Sequence, residues 1–318
     1  MPLDEFDLIK KYFDIGTIKN TSVVLGPGDD CAILAPLDGQ EICLSTDTMN
    51  EDVHFLSSLP GSAIASRVVA ANLSDLAAMG AEPYACLLAV TLNEVNENWL
   101  DQFSAAIFSI LKDYRCPLIG GNVSKGPKLS ITMTVLGSTP VGKAIVRSGA
   151  RTGDGIYVTG SLGDAKGGLE MLRSGRKQDY LVSRYCHPTP RILEGMVLRE
   201  LASSMIDVSD GLLADLGHIC SASHLGAELD INSLPISCYL KEEVGEELAY
   251  RFALSDSDDY ELCFTVPKRL EDEMKRLDWS SLAPVTKIGT MIPDKNIRVL
   301  SEDGSIIEIE QLGYKHFQ

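Results

Sequence analysis

Apolar and polar positions follow two rhythms along this chain. Short apolar runs bounded by turn residues predict strands over 31–35, 42–47, 85–92 and 129–136, and a spacing of three or four predicts helices over 62–79 and 97–114. The second half repeats the style, with strands predicted over 155–159, 205–208, 227–231 and 260–266 and helices over 164–174, 190–203, 211–223 and 267–277. Interleaving of this kind excludes an all-helical or all-β protein and predicts a mixed α/β fold. The pattern breaks across 137–154, where Gly-Ser-Thr-Pro and Ser-Gly-Ala-Arg-Thr-Gly-Asp-Gly interrupt it. With 318 residues, about twice a common domain length, the break predicts two domains, 1–138 and 139–318.

Composition narrows the function. The chain is 45% hydrophobic, as a globular protein should be, and its 28 basic against 45 acidic residues leave a net charge of −17. No basic surplus is present to displace counterions, so binding to nucleic acid or to an anionic membrane is not expected. A phosphate ligand would have to arrive with metal. No apolar run reaches the roughly 20 residues of a membrane span, and the opening Met1-Pro2-Leu3-Asp4-Glu5 lacks a basic, then apolar, leader. The expected location is cytoplasmic. Eight scattered cysteines without a C-x-x-C pair fit reduced core thiols better than disulfides or a zinc site.

One motif tempts and fails. The segment 137–144, Gly-Ser-Thr-Pro-Val-Gly-Lys-Ala, nearly spells a phosphate-binding P-loop, but Ala144 has no hydroxyl for magnesium and no helix pattern follows. An inter-strand turn is the expectation there.

The acidic residues carry more. Asp29 and Asp30 sit in a glycine turn and read equally as turn residues or as metal ligands. Ser45-Thr46-Asp47-Thr48 lies where an apolar strand runs out, offering the oxygen donors that hard cations take, or simply capping the strand. Asp75 shares a helical stripe with Ile64, Val68, Ala71 and Met79, so it must be metal-bound, ion-paired (for instance to Arg67), or an N-cap if the helix breaks near 72–75. Asp207-Val-Ser209-Asp210-Gly211 leads a strand into a helix, aiming carboxylates, a hydroxyl and a helix N-terminus at one spot. Asp256-Ser-Asp258-Asp259-Tyr-Glu261 places four acids in six residues before a strand, which by itself reads as solvated loop charge. Together these sites suggest several divalent ions clamping the phosphates of an anionic ligand.

In this order the segments resemble the thiamine-monophosphate kinase family, within the ATP-binding superfamily of aminoimidazole ribonucleotide synthetase and selenophosphate synthetase. The match rests on Gly28-Asp-Asp-Cys-Ala, Ser45-Thr-Asp-Thr, His54-Phe, Asn72-Leu-Ser-Asp-Leu-Ala-Ala-Met-Gly-Ala, Ile119-Gly-Gly, Arg147-Ser-Gly-Ala, Asp207-Val-Ser-Asp-Gly-Leu, Asp259-Tyr-Glu-Leu and Gly313-Tyr-Lys-His-Phe. The resemblance implies a two-domain aminoimidazole ribonucleotide synthetase-like architecture of mixed sheets, in a homodimer paired through its N-terminal sheets. It implies a kinase that uses ATP and several Mg²⁺ ions to convert thiamine monophosphate to thiamine diphosphate by direct in-line phosphoryl transfer. By similarity Asp30, Ser45, Thr46, Asp47, Asp75, Asn122, Asp207 and Asp210 would hold metal. Gly121, Asn122, Arg147 and Ser209 would contact ATP, and His54, Asp258 and Phe317 would line the substrate side. No side chain is implied as an obligatory base, since an acceptor phosphate oxygen is already ionised near neutral pH. Phe317 and Tyr314 could face a cationic ring, or serve as a terminal aromatic anchor.

Two departures stand out. The family pattern has Gly-Gly-Asp-Thr where this chain has Gly120-Gly121-Asn122-Val123, a neutral amide for a carboxylate. It has Gly-Gly-Glu where this chain has Asp256-Ser257-Asp258. A related enzyme with another acceptor, or a nucleotide-binding paralogue, is therefore an alternative that a substrate panel separates.

Overall fold

The computed structural model describes residues 5–13, 22–25, 31–35, 37–255 and 257–307. Two compact units emerge, one of Met1–Leu76 and Ala81–Gly142, the other of Ala77–Gly80 and Lys143–Gln318.

The first unit begins with α1 (Glu5–Leu8), which runs into a π-helical turn, Ile9–Phe13. A small antiparallel pair follows, β1 (Val23–Leu25) with β2 (Ile33–Leu34). Then come β3 (Gln40–Asn50), α2 (Gly61–Ala78), β4 (Glu82–Leu92), α3 (Glu97–Asp113), β5 (Leu118–Lys125) and β6 (Ser130–Pro140). The four long strands form one sheet in the order β3-β6-β4-β5, with β4 and β5 parallel and the other neighbours antiparallel. Strand β5 was not expected from the sequence, because Gly120-Gly121-Asn122 weakens the apolar signal on which a strand is recognised.

Helix α2 is apolar on nearly every side. Ala65, Val68, Val69, Leu73 and Leu76 are all buried, so the predicted stripe is in fact most of the helix surface. Each fully buried valine or leucine contributes about 1.5–3 kcal/mol. The helix runs unbroken through 72–75, which removes the reading of Asp75 as an N-cap. Helix α3 is conventionally amphipathic: Asn96 caps it by accepting from Trp99 N, and Leu100, Phe103, Ile107 and Leu111 turn inward.

The second unit contains β7 (Gly155–Thr159), α4 (Asp164–Arg173), α5 (Asp179–Cys186), α6 (Ile192–Leu198), β8 (Ser204–Val208), α7 (Leu212–Ser223), β9 (Gly226–Asp230), α8 (Cys238–Val244), α9 (Glu246–Leu254), β10 (Glu261–Val266), α10 (Glu271–Lys275), β11 (Val285–Ile292), β12 (Ile297–Leu300) and β13 (Ile306–Ile307). Its sheet has the order β13-β12-β9-β11-β7-β10-β8, with β12 and β9 parallel. Strands β7, β8 and β10 are buried at every position, which is why they read as continuous apolar runs. Their core includes Ile156, Val158, Ile206, Val208 and Cys263, packed with Leu212, Leu216 and Ile219 of α7.

Several predicted elements change on folding. The helix expected over 190–203 is only Ile192–Leu198, because the chain must turn to enter β8 at Ser204. The helix expected over 267–277 becomes a 3-10 turn, Lys268–Leu270, followed by the short α10. Strand β11 escaped prediction because a bulge between Lys287 and Gly289 breaks its alternation. The P-loop look-alike lies partly in β6, and Lys143 pairs with Glu200 at 2.8 Å. No disulfide joins the cysteines, and Cys86, Cys116, Cys186, Cys220 and Cys263 are buried. Among the described residues no helix is long and apolar enough to cross a membrane.

Candidate functional site

Strand β3 turns its odd-numbered side chains toward α2. Ser45 Oγ donates a short hydrogen bond to Asp75 Oδ2, and Asp47, two residues along, shares that face. Buried Asn72 ties helix to strand: its Oδ1 accepts from Asp47 N at 3.1 Å, and its Nδ2 donates to Val68 O at 2.9 Å. Carboxylate and hydroxyl oxygens thus meet at the sheet-to-helix joint, an all-oxygen donor set suited to a hard cation. Arg67, one alternative partner considered for Asp75, sends Nη2 to His54 O at 3.1 Å.

The alternation that gathers Ser45 and Asp47 sends their neighbours away. Thr46 Oγ1 meets Thr134 Oγ1 at 3.0 Å and Thr48 Oγ1 meets Thr132 Oγ1 at 2.8 Å, both on the opposite, exposed face. Asn122 belongs to that face too, since it is in register with Ala89, Ala89 with Thr132, and Thr132 with Thr48. It also lies on the far edge strand. A single protomer therefore does not bring Thr46 and Asn122 to the Ser45–Asp75 cluster. Gly121 has a backbone reason for being glycine: a Cβ there would sit 1.9 Å from Leu88 O. His54, half-buried after β3, accepts from Asn50 N through Nδ1 at 3.0 Å, which leaves its proton on Nε2. Asp30, Asp256 and Phe317, with Tyr314, lie outside the described residues.

In the second unit, β8 delivers Asp207, 5% exposed, and then the half-buried Ser209 and Asp210, before Gly211 at φ 106° turns the chain into α7. A residue the sequence reading missed organises this loop. Asp215, in the opening turns of α7, accepts from Ser209 N at 3.0 Å and from Asp210 N at 3.1 Å, both through Oδ2. Burial pushes its carboxyl up to about 7, against those two donors and against the nearby charge of Arg147, which pull it down. Arg147 itself is exposed. Its influence on Asp215 sets it in the same electrostatic neighbourhood as the Ser209–Asp210 loop.

The acidic segment ending at Glu261 divides by role. Asp258 is half-buried. Asp259 is buried and caps α4, accepting from Gly163 N at 2.6 Å, Ala165 N at 2.9 Å and Ser257 Oγ at 2.6 Å. Glu261 is fully buried and held by Arg191 through Nε at 2.6 Å and Nη2 at 2.5 Å, by Arg184 Nη2 at 2.8 Å and by Thr159 Oγ1 at 2.7 Å. Burial alone would raise its pKa; the hydrogen bonds and charges of Arg191, with the charge of Arg184, outweigh it and hold the carboxyl below its usual range. Neither Asp259 nor Glu261 is solvated loop charge, and neither carboxylate is left to a metal. Asp259 and Glu261 spend their lone pairs on the protein. Asp215 could have been suspected as an acid among the apolar residues Leu212, Leu213 and Leu216, whereas Arg184 and Arg191 gave no local signal. Among the described residues no three His, Cys, Asp or Glu side chains form a ready metal cage.

Comparison with known proteins accounts for the whole chain. Residues 28–139 match the family described as AIR synthase related protein, N-terminal domain, and residues 151–301 match the corresponding C-terminal domain. The chain is 44% identical over 323 aligned residues to the thiamine-monophosphate kinase of Escherichia coli K12, covering 100% of this chain and 99% of that one. It is similar to a crystal structure of thiamine-monophosphate kinase from Stenotrophomonas maltophilia K279a, with TM-score 0.87, 39% identity and coverage of 96% and 99%. A structure of AaThiL complexed with AMPPCP and TMP has TM-score 0.79 and 30% identity over 89% of each chain.

Proposed function

We infer the activity from one premise: this chain belongs to the thiamine-monophosphate kinase family, to which it is related along its full length. The protein is an ATP-dependent kinase that phosphorylates thiamine monophosphate to thiamine diphosphate, releasing ADP. The observation that carries the reading at atomic level is the oxygen cluster of Ser45, Asp47 and Asp75. The presence of a nucleotide analogue and TMP in a family member's structure supports the same substrates here.

A phosphate oxygen of the acceptor forms the new bond to the γ-phosphorus of ATP, while the bond from that phosphorus to the β,γ-bridging oxygen breaks. Because the acceptor oxygen is already ionised, the protein's task is alignment and relief of repulsion between two polyanions. Ser45, Asp47 and Asp75, with Asp30, fit magnesium by their donor chemistry, and Asp207 and Asp210 offer a second carboxylate pair. When bound, magnesium supplies charge screening that so acidic a chain cannot supply itself. Arg147 offers a guanidinium to phosphate and Ser209 a hydroxyl. For the substrate, sequence position nominates His54, whose Nε2–H is a donor, together with Asp258 and Phe317.

A homodimer built through the N-terminal sheets fits the placement of Thr46 and Asn122. They share one face but occupy the two edge strands, β3 and β5. Two such sheets joined through both edges about a two-fold axis would set β3 of each copy beside β5 of the other, bringing Asn122 toward Thr46 across the interface. Incubation with ATP, Mg²⁺ and thiamine monophosphate, with free thiamine as control, should give thiamine diphosphate by chromatography from the monophosphate alone. Absence of product from the monophosphate would refute the assignment.

A further inference from the structure

From Arg67 to Ala78, α2 is buried at every position but one, Asp75. Within that stretch Asn72 is 0% exposed, although alanine or leucine would serve a buried helix better. Its carboxamide makes two bonds: Nδ2 donates to Val68 O, four residues back, at 2.9 Å, and Oδ1 accepts from Asp47 N at 3.1 Å. The first bond fixes which way the amide faces, so that its oxygen is the end turned to the strand. The second reaches β3, an edge strand with a sheet neighbour on one side only.

Three residues on, Asp75 accepts the Ser45 hydroxyl. Helix and strand are thus tied twice, Asn72 to Asp47 and Asp75 to Ser45, within about 4.5 Å of helix rise. The two ties differ in kind. Ser45 and Asp75 meet through side-chain oxygens, with Asp75 half-buried and Asp47 exposed, whereas Asn72 holds only main chain and is sealed from solvent. We propose that Asn72 is a positioning residue of the oxygen cluster: it touches no ligand itself, and by holding the Asp47 main chain against α2 it keeps the Ser45 and Asp47 oxygens at the spacing from Asp75 that one divalent cation needs. This rests on the metal role given above to Ser45, Asp47 and Asp75. Groups that hold metal ligands in place are worth about ten- to a hundredfold in affinity.

The probe is Mn²⁺, followed by loss of its free-ion electron paramagnetic resonance signal on titration into the full-length protein, with Asp75→Asn to mark the site. Asn72→Leu keeps the volume of the side chain and Asn72→Ala empties it, but both remove the acceptor for Asp47 N. Both should weaken the Mn²⁺ site that Asp75→Asn abolishes, about tenfold and to the same extent. Packing loss alone would weaken the alanine variant and spare the leucine one. Turnover should split in the same way: a higher half-saturating Mg²⁺ concentration, recovery toward the wild-type rate at high Mg²⁺, and an unchanged KM for thiamine monophosphate. In the wild-type protein the Asp47 amide hydrogen should exchange slowly although its strand lies at a sheet edge.

Wild-type Mn²⁺ affinity in a folded Asn72→Leu protein would overturn the proposal, as would a loss that raises the KM for thiamine monophosphate by the same factor. Should the leucine variant not fold, the alanine variant decides by the same criteria, and rapid exchange of the Asp47 amide in wild type overturns the proposal with no variant at all. Wild type that takes up Mn²⁺ at the Asp75 site but makes no thiamine diphosphate would sink the kinase assignment while leaving the Asn72 comparison intact. Wild type that makes thiamine diphosphate but takes up no Mn²⁺ at that site would refute the positioning role and leave the kinase standing.

Discussion

Gly160 lies directly beneath the carboxylate of Glu261: a Cβ at that glycine would stand 2.1 Å from Oε1, and the backbone there has φ +59°. Two separate constraints therefore meet at one residue. The left-handed backbone disfavours a side chain, and the space above it is filled by the carboxylate that pairs Arg184 and Arg191.

Gly160→Ala should push that carboxylate off its arginines and lower stability by about 3 kcal/mol, since disrupting a buried pair leaves charges uncompensated. Urea unfolding at neutral pH measures the loss. A shift in midpoint smaller than that of a surface substitution would contradict this view of the cluster.

Glu261 also sets an acid limit. Its native pKa lies below that of the unfolded chain, so its contribution is complete above the unfolded value, about 4.3, and is lost as pH falls through the lower native value. Glu261→Gln should remove this segment of the pH profile and cost roughly 3 kcal/mol or more at pH 7. Unfolding curves for both proteins between pH 7 and pH 3 provide the comparison.

The Ser45–Asp75 pair gives a metal prediction. Asp75→Asn should reduce kcat/KM roughly 100-fold with little change in unfolding midpoint, and Ser45→Ala roughly tenfold with a higher Mg²⁺ requirement. Chelation should abolish turnover, and added Mg²⁺ restore it. Full activity in a metal-free assay would remove the oxygen cluster from the mechanism.

Asn122 tests the interface. In the proposed dimer, Asn122→Asp should lower the half-saturating Mg²⁺ concentration, because a carboxylate replaces an amide beside Thr46 of the other copy. The effect should weaken when protein is diluted until the dimer dissociates, as followed by sedimentation. A titration unchanged at every concentration would separate Asn122 from the metal site.

Much of this protein was legible before folding. The strands over 155–159, 205–208 and 260–266 announce themselves because buried strands must be apolar throughout, and the acids at strand ends are conspicuous because carboxylates are costly near a core. The Asp75 position was legible for the same reason: an acid within so apolar a helix requires a partner, and Ser45 is one. Other features depend on distance along the chain. Arg191 reaches Glu261 across 70 residues, and no local periodicity encodes a pairing at that separation. Thr46 and Asp47 are adjacent in sequence, yet the two-residue period of β3 turns them to opposite faces. Residue type and short-range pattern thus determined the fold class, the helices and strands with strong periodicity, and the acids capable of metal chemistry. The tertiary structure decided that Asp259 and Glu261 are bound by the protein itself and brought in Asp215, which the sequence reading missed, because burial and partner geometry are properties of the assembled chain.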